Sequence, residues 1–285
     1  MEGYNFSDQR EEDALQNFKR AAENMGHQFG FMFREDLSPI RRSDAVFIRA
    51  TTDPLYTAYI VSKTAAELGL KVVDDPESIQ ICANKIHQYA LFKKHNVPHI
   101  PTVFVNKEDF HHKQILSIFR EFGKPVVVKA PYTSFSRYVE KVACETSFRE
   151  VATRFFRKSD VLAVQKFMPT AFDWRVGVLN DEVLYVCKYM IPKGRWKHGA
   201  KLRGKPTVIW GRTFAMKREN APAKLKEVAL KACQVVGHGL YGVDIKEADG
   251  KYVVVEVNDN PSIYAGYEDL RNKDVYARII AYLAD

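Results

Sequence analysis

The hydrophobic pattern of the first eighty residues switches between helical and strand-like spacing. Residues 8–25 place apolar side chains three and four positions apart, which predicts an amphipathic helix. Short apolar runs at 45–48 and 70–74 predict strands, and the helix predicted between them, residues 55–68, ends at a glycine. Because strand, helix and strand follow in this order, we expect residues 1–80 to form a small N-terminal α/β domain.

The middle of the chain continues the alternation of helices and strands. Apolar spacing predicts, in chain order, a helix at 84–95, a strand at 102–105, a helix at 109–121, and strands at 125–130, 137–142 and 161–167. Between the last two strands we expect a helix that begins at Ser147. Glu150, three residues later, would complete a capping box with that serine.

Two hairpins dominate the last third of the chain. A turn at Asn180-Asp181 joins the strands WRVGVL and EVLYVCKYM, and a turn at residues 248–250 joins YGVDIK and YVVVEVN. Helices are predicted at 222–236 and 274–284. Antiparallel hairpins with helices on one side are typical of α+β architecture.

This change of pattern sets the expected domain organisation. After the N-terminal α/β domain we expect two α+β subdomains, a central one at residues 81–168 and a C-terminal one at residues 169–285. The fold class is therefore mixed, α/β followed by α+β. A hydrophobic content of 46% is that of a folded globular protein.

Composition narrows the cellular setting. No stretch approaches the ~18 uninterrupted apolar residues of a membrane span, and the polar, acidic start does not resemble a signal peptide. The four cysteines, at positions 82, 144, 187 and 233, lie far apart and form no metal-binding spacing, so we expect reduced thiols. The protein is expected to be cytoplasmic.

The net charge of +8 is concentrated in one segment. Ten Lys or Arg residues and no Asp or Glu lie between Lys188 and Arg218, which we call the basic segment, and the rest of the chain carries 33 basic against 35 acidic residues. A general nucleic-acid binder more often spreads its charge over several segments. The basic segment therefore favours a site for phosphate or an acidic substrate, with a solvated loop as the alternative.

The last hairpin carries the best candidate for a metal site. Glu256 and Asn258 lie two residues apart on one strand, so they share a face, and Asp244 on the partner strand can face them. Two carboxylates and an amide oxygen are ligands that suit Mg²⁺. The alternative is a strand-end aspartate beside a glutamate that pairs with a nearby lysine.

Weaker signals lie at the ends of two apolar strands. Lys129 closes PVVV and Lys166 follows VLAVQ, where a cation can meet a phosphate or a base. Between them, the loop APYTSFSRYV offers the hydroxyls of Ser134 and Ser136 and backbone amides that could cover phosphates. The loop contains no glycine, so its signal as a phosphate loop is poor.

Five segments in order resemble the ATP-grasp superfamily, and within it RimK-type ligases and, more distantly, glutathione synthetase. They are NKIHQYALFKKHNVPHIPT, PVVVKAPYTSFSR, VQKFMPTAFDWRVGVLNDEVLYVCKYM, GLYGVDIK and VVVEVNDNPS. The resemblance covers residues 70–268, with a weaker echo in FIRATTD. It implies an ATP-grasp fold in which two subdomains clasp ATP, and an ADP-forming carboxylate–amine ligase that acts through an acyl phosphate.

The resemblance also implies roles for individual residues. Lys85 and Lys129 would bind the phosphates of ATP, Asp173 would reach the ribose side, and Arg175 and Lys188 would stabilise the transferring phosphoryl group. The hinge that holds adenine through backbone groups would consist of Gln165, Lys166, Phe167 and Met168. The ligands of Mg²⁺, or of Mn²⁺ as an alternative, would be Asp244, Glu256 and Asn258.

Substrate recognition is expected from two places. Arg49, followed by two threonines, could grip a substrate carboxylate from the first domain, or be an ordinary surface arginine. Lys201 and Arg203 in the basic segment would hold an acidic donor or acceptor, which is a small molecule, a peptide or a protein tail. We expect no membrane partner, disfavour nucleic acid, and leave a homo-oligomer open.

Two departures and two rival functions accompany this interpretation. The covering loop lacks the glycines of relatives, and Lys166 stands where relatives often have Glu. An ATP-grasp kinase of a phosphorylated small molecule would also suit the basic segment, but it predicts a phosphorylated product without an amine. An inactive, basic, nucleic-acid-binding relative is the second rival, and the intact set of Asp244, Glu256 and Asn258 argues against it.

Overall fold

The computed structural model describes residues 9–132, 138–201 and 208–285, with side chains for all of these except 200, 201, 208 and 209. No helix in these ranges combines the length and the apolar character needed to cross a membrane.

The N-terminal layer contains a two-stranded parallel sheet. Its elements are helix α1 (Gln9–Asn24), strand β1 (Ala45–Phe47), helix α2 (Thr57–Glu67) and strand β2 (Lys71–Val73). β1 and β2 pair in parallel, as predicted, and Val61 and Ala65 of α2 bury their side chains with Val46 of β1. α1 packs elsewhere, because the Phe18 ring meets Tyr276 of the last helix edge-on, with ring centroids 4.8 Å apart. The layer is therefore tied to the C-terminal end of the chain.

Two consecutive helices follow where the sequence pattern predicted one. They are α3 (Pro76–Ala83) and α4 (Lys85–Lys94). Asp75 caps α3 by accepting hydrogen bonds from the backbone N–H groups of Glu77 and Ser78. Asn84 separates the helices and caps α4 in the same way. The aspartate before Pro76 was the available sequence signal, since Asp at the N-cap with Pro at the first helical position is a common helix start.

A four-stranded antiparallel sheet forms the central part of the chain. Its elements are β3 (Thr102–Asn106), α5 (His112–Phe122), β4 (Val126–Lys129), β5 (Val139–Val142), α6 (Glu145–Phe155) and β6 (Val161–Lys166). The strand order is β3-β6-β4-β5, so β6 lies between β3 and β4 and the apparent α/β alternation does not produce a parallel pair. The expected start of α6 at Ser147 was wrong. α6 begins at Glu145, and the Ser147 hydroxyl accepts from the backbone N–H of Cys144.

A five-stranded antiparallel sheet forms the C-terminal part. The elements are β7 (Phe172–Leu179), β8 (Glu182–Met190), the separate pair β9 (Gly199–Lys201) and β10 (Val208–Trp210), β11 (Thr213–Met216), α7 (Ala223–Gln234), β12 (Leu240–Ala248), β13 (Lys251–Asn258) and α8 (Val275–Ala284). The five-stranded order is β11-β8-β7-β12-β13. Both predicted hairpins are present, and Asn180 and Asp181 have the positive φ angles of a tight hairpin turn.

The two faces of this sheet have different neighbours. Trp174, Val176 and Val243 point to one face and share a core with α7, which covers that side. Tyr185 and Cys187 point to the other face and share a core with α1, α8 and the N-terminal layer. Because side chains alternate along a strand, polar residues between the apolar ones of the first core must lie on the second face. That face carries the candidate site.

Candidate active site

Three strands bring one guanidinium and two carboxylates side by side. Asp244 on β12 stands directly opposite Arg175 on β7 and directly opposite Glu256 on β13. Arg175 donates two hydrogen bonds to Asp244, with Nε 2.7 Å from Oδ1 and Nη2 3.1 Å from Oδ2. Asn258 lies beside them and donates from Nδ2 to Asp244 Oδ2 at 3.3 Å. The structure therefore brings together the three side chains that the sequence placed on one face, and Arg175 joins them there.

The electrostatics of the two carboxylates differ. Burial raises the pKa of Asp244 to about 6, and the charge of Glu256 adds to this, although Arg175 opposes it. Burial would also raise the pKa of Glu256, but the positive charges of Lys85 and Lys129 outweigh it, so the pKa lies below its usual range. Glu256 is therefore an anion at neutral pH, held between cations.

Two buried lysines face Glu256 from other elements. Lys85 is the first residue of α4, and its Nζ is 4.0 Å from Glu256 Oε2. Lys129 ends β4, and its Nζ donates to the hydroxyl of Tyr89 at 3.0 Å. Burial lowers the pKa of both lysines, and the charge of Glu256 counteracts this. Buried positive charge beside a carboxylate is an arrangement that can hold a polyphosphate together with its metal ion.

A third lysine reaches this region from the basic segment. Lys197 donates from Nζ to the carbonyl oxygen of Val139 on β5 at 2.5 Å, so it links the segment after β8 to the four-stranded sheet. Burial lowers its pKa to about 8, and the charge of Lys129 contributes. The neighbouring Trp196 ring lies edge-on to Phe167, with centroids 6.1 Å apart. The sequence had assigned Lys197 no role of its own.

The predicted hinge lies at the end of β6. The Gln165 side chain is buried and donates to the Thr102 hydroxyl at 2.9 Å, so it serves the sheet. The backbone N–H of Lys166 donates to the carbonyl of Pro101 at 3.0 Å. Phe167, with Lys141 Nζ 4.7 Å from its ring centroid, and Met168 follow the last residue of the strand. Adenine contacts are therefore expected mainly from these last two residues.

Asp173 is paired with a residue that sequence reasoning missed. Its Oδ1 accepts from Lys246 Nζ at 2.5 Å and from the Thr170 hydroxyl at 2.9 Å. Lys246 lies two positions after Asp244 on β12 and shares its face. That spacing was the signal that could have found Lys246. The prediction that Asp173 reaches the ribose now includes Lys246 as its partner.

The structure does not bring Lys188 to Arg175. Lys188 stands opposite Trp174 in the β7–β8 ladder, whereas Arg175 stands opposite Cys187. Its ammonium lies 4.6 Å from the Trp174 ring centroid, on the face that α7 covers. The two predicted catalytic residues thus point to opposite faces of the sheet. Lys188 is removed from the candidate site for this reason.

The remaining predicted residues have mixed outcomes. Arg49, which follows β1, donates from Nη1 to Asn260 Oδ1 at 2.5 Å and to the carbonyl of Pro261 at 2.9 Å, so it contacts the loop that follows β13. This is a residue near the site and not an ordinary surface arginine. Ser134, Ser136 and Arg203 lie outside the described residues, as does the side chain of Lys201.

The donor set fits a magnesium ion that keeps water and phosphate ligands. Asp244, Glu256 and Asn258 offer only oxygen donors, and the Asn258 amide is oriented by Nδ2, which donates to the carbonyl of Gly242 and to Asp244. Within the described ranges, no group of three or more His, Cys, Asp and Glu side chains is placed to bind a metal ion. With two carboxylates and one amide oxygen, the site suits an ion that takes few protein ligands, as Mg²⁺ does beside phosphates.

Comparison with known proteins decides the family. The family model of the RimK-like ATP-grasp domain matches residues 82–283. The chain belongs to the RimK-like ATP-grasp family. It is 25% identical over 250 residues to the glutamate–LysW ligase ArgX of Sulfolobus acidocaldarius, covering 85% of this chain and 82% of that protein. It is 27% identical over 213 residues to the α-aminoadipate–LysW ligase LysX of Saccharolobus solfataricus, covering 72% and 71%.

The fold of the RimK-like chain is also that of solved ATP-grasp ligases. The ATP-grasp ligase PsnB, complexed with a phosphomimetic variant of its minimal precursor, Mg and ADP, matches with a TM-score of 0.66 at 18% identity. The match covers 98% of this chain and 96% of PsnB. The expected superfamily and the mixed α/β and α+β fold are therefore confirmed.

Proposed function

We propose that this chain is an ATP-dependent, ADP-forming ligase that activates a carboxylate as an acyl phosphate and joins it to the amine of an amino acid. One observation carries the proposal. Lys85, Lys129 and Arg175 converge with Glu256 and Asp244 on a single sheet face of a RimK-like ATP-grasp chain. Such a site places phosphate-binding cations beside metal-binding oxygens, which is the arrangement that phosphoryl transfer to a carboxylate needs.

Each of these residues has a distinct task in the proposed reaction. Lys85 and Lys129 position the phosphates of ATP, since both ammonium groups are buried and fixed. Asp244, Glu256 and Asn258 would hold Mg²⁺, or Mn²⁺ in its place, which supplies charge neutralisation to the phosphate oxygens when bound. Arg175 is anchored by Asp244, and its guanidinium would stabilise the carbonyl oxygen that becomes negative when the amine attacks the acyl phosphate.

The relatives suggest the substrate class. ArgX and LysX are ligases of glutamate and of α-aminoadipate, each acting on the protein LysW. We propose an acidic amino acid as the amine substrate and a peptide or protein tail as the carboxylate. The basic segment supports an acidic ligand, because it adds ten positive charges to a chain that is otherwise slightly acidic.

A cytoplasmic location is part of the proposal. All four cysteines are free thiols, and Cys187 and Cys233 are buried. Free thiols are typical of a reducing compartment. Detection of a tagged chain in the cytoplasmic fraction would support this location. Detection of a secreted chain with disulfide bonds would contradict it.

The direct test measures ADP release and its dependence on two substrates. We expect ADP only when ATP, a divalent ion and a carboxylate are present, and stable product only when an amine is added. Hydroxylamine, which captures acyl phosphates as hydroxamates, should replace the amino acid. A Glu256→Gln variant is the inactive control.

The kinase alternative predicts a different product. A stable phosphorylated compound that forms without amine, with no hydroxamate, would overturn the ligase proposal.

Replacement of Mg²⁺ by Mn²⁺ in the same assay would decide which ion supports turnover.

A further inference from the structure

Three loops from different layers meet beside the candidate active site. They are residues 48–53 after β1, residues 74–75 after β2, and residues 259–261 after β13. The backbone N–H of Ile48 donates to the carbonyl of Val73 at 2.6 Å, and Asn260 donates from Nδ2 to the carbonyl of Ala50. The carboxyl ends of β1 and β2 meet here because the strands are parallel. In open α/β sheets this edge is where ligands bind.

The loops enclose polar atoms that no protein group satisfies. Asp74, Asp259 and Thr51 are 3%, 8% and 8% exposed. Both carboxylate oxygens of Asp74, Oδ2 of Asp259 and the Thr51 hydroxyl are buried without a hydrogen-bond partner within the described residues. Thr51 lies between Ala50, which contacts Asn260, and Thr52, whose side chain bonds to Asp259. We call Thr51, Asp74 and Asp259 the buried acidic cluster.

The free protein bears a cost for this cluster. A buried carboxylate without a donor is strongly disfavoured relative to one in water. Burial raises the pKa of Asp74 well above its usual range, and the nearby charge of Asp259 raises it further. Such a pair lowers its free energy by gaining hydrogen-bond donors and positive charge.

The charges around the buried acidic cluster indicate which kind of ligand would complement it. Arg49 supplies one positive charge that acts on Asp74, while its guanidinium also donates to Asn260 and Pro261. Two further carboxylates are close, but each has donors. Asp75 accepts from the backbone and hydroxyl of the first turn of α3, and Asp53 accepts from the N–H of Leu55. One positive charge with several donors is therefore the simplest complement to Asp74 and Asp259.

We propose that the buried acidic cluster binds the ammonium group of the amine substrate. This inference rests on the proposed ligase function and assigns the amine a place in it. An ammonium group has three N–H donors and one positive charge, and the cluster offers four oxygen acceptors, three of them on carboxyl groups. Asp259 directly follows Asn258, so the cluster lies at the end of the strand that carries two of the proposed magnesium ligands.

Entry to the cluster would require the three loops to move. All three segments lie outside the strands, so their movement need not break a strand pair. Arg49 on the same loop is then placed to bind a carboxylate of the same substrate. The cluster and Arg49 together recognise an amino acid and reject its amine-free analogue.

The experiment compares acids with and without the amine. L-Glutamate and L-2-aminoadipate are paired with glutarate and adipate, and thermal stabilisation of the protein is measured with ADP and Mg²⁺ present. At least one amino acid should stabilise the wild type more than its amine-free partner. Asp74→Asn should abolish this difference and raise the Michaelis constant for the amine at least about tenfold, the factor for one charge-assisted hydrogen bond. The constant for ATP should stay within about twofold of wild type.

Two further variants keep the test decisive. Thr51→Val removes only the hydroxyl, so it should weaken amine binding, but less than Asp74→Asn does. It serves as the test variant if Asp74→Asn fails to fold. Asp181→Asn is the matched control, since Asp181 also has a buried oxygen without a partner but lies in the β7–β8 turn. It should behave as the wild type does.

The outcomes separate the two proposals. A folded Asp74→Asn protein with an unchanged amine constant, in an assay where the wild type releases ADP, overturns the inference and leaves the ligase function standing. A wild type that forms no amine-dependent product overturns the function, and the binding comparison still decides the inference. Equal stabilisation by each acid and its amine-free partner counts against it. A last control replaces K⁺ in the buffer by tetramethylammonium. If this replacement lowers the thermal stability of the wild type but not that of Asp74→Asn, an inorganic ion occupies the cluster, and the inference is overturned.

Discussion

At the scale of single residues, the candidate site is built around Asp244. Its two oxygens accept from Arg175 while Asn258 donates to one of them, and its neighbour Glu256 is held by lysines. Arg175 therefore compensates Asp244 in the free protein, and a metal ion must share the carboxylate with it. We therefore expect Glu256, whose charge faces Lys85 and Lys129, to be the stronger determinant of metal-dependent turnover.

Replacement of Glu256 tests that role. Glu256→Gln keeps the shape of the side chain but removes its charge, so ADP formation should fall at least ~100-fold, because metal-held charge stabilisation is worth several kcal/mol. Steady-state ADP release with Mg²⁺ is the measurement, and a circular dichroism melt checks the fold. Glu182→Gln on the exposed end of β8 is the matched control. Near-normal turnover by folded Glu256→Gln would remove the metal assignment.

The pKa of Lys197 makes a prediction about pH. Because burial lowers this pKa from 10.5 to about 8, the folded protein binds fewer protons than the unfolded chain between these values. The unfavourable contribution of the charged amine is fully present below pH 8 and disappears as pH approaches 10.5. Lys197→Met should therefore gain stability relative to wild type at pH 7, and the gain should shrink towards pH 10.5.

Urea denaturation at a series of pH values measures this difference in the free energy of unfolding. Lys107→Met, an exposed loop change, is the control for the substitution type. A difference between Lys197→Met and wild type that stays constant from pH 7 to pH 10.5 would show that the lysine does not titrate as described.

Sequence reasoning at this scale succeeded where local spacing was enough. Glu256 and Asn258 share a strand, so alternation alone placed them on one face, and the short turn of the last hairpin made Asp244 their neighbour. Lys188 failed because its face depends on the register of β8 against β7. That register includes an irregularity between Gly177 and Val178, which no local pattern reveals. The buried acidic cluster was also missed, since its members come from three distant segments.

At the scale of elements, the five-stranded sheet fixes the site by close packing. Most strands and helices followed from apolar spacing, and both hairpin turns followed from their Asn-Asp and Asp-Gly residues. The insertion of β6 between β3 and β4 could not be predicted in this way, because strand order depends on contacts between distant residues.

Gly242 on β12 shows how closely the elements of the site pack. A Cβ there would lie 2.7 Å from Pro261 Cβ and 3.0 Å from Arg175 Nη1.

Gly242→Ala is therefore expected to damage both stability and activity. The added methyl group must displace Pro261 or Arg175, and overpacking of this kind typically costs ~1–3 kcal/mol. The urea midpoint of unfolding and the rate of ADP release should both fall. Gly30→Ala is the matched control, since a Cβ at that position meets nothing within 4 Å. Equal effects of the two substitutions would show that the space beside Arg175 is not constrained.

At the scale of the whole molecule, three layers converge on one region. α1 and α8 join the ends of the chain through Phe18 and Tyr276, and Arg49 joins the N-terminal layer to the loop after β13. Lys197 joins the basic segment to the four-stranded sheet. The contacts of Arg49 and Lys197 lie close to the candidate site, so movements of the segments they join are expected to alter its geometry. Among the described residues of the basic segment, Lys193, Arg195, Arg212 and Lys217 are exposed.

The last prediction concerns the exposed positive charges of the basic segment. Lys193, Arg195 and Arg212 are exposed members of the segment, and they flank the part that contains Lys201 and Arg203. Replacement of these three exposed residues with Ala should raise the Michaelis constant for the acidic substrate and leave that for ATP little changed. The effect should weaken as salt is added, because exposed charges are screened over ~8 Å at physiological ionic strength.

The control for this triple variant removes the same number of exposed charges elsewhere, at Lys93, Lys94 and Lys107. It should leave the Michaelis constant for the acidic substrate unchanged, since those residues lie outside the basic segment. RNA binding by filter retention is measured on the same proteins. If the basic-segment variant loses RNA binding while its ligase kinetics match the wild type, the segment recognises nucleic acid and not the acidic substrate. If both triple variants raise the constant equally, net charge alone attracts the substrate and the position of the basic segment has no special role.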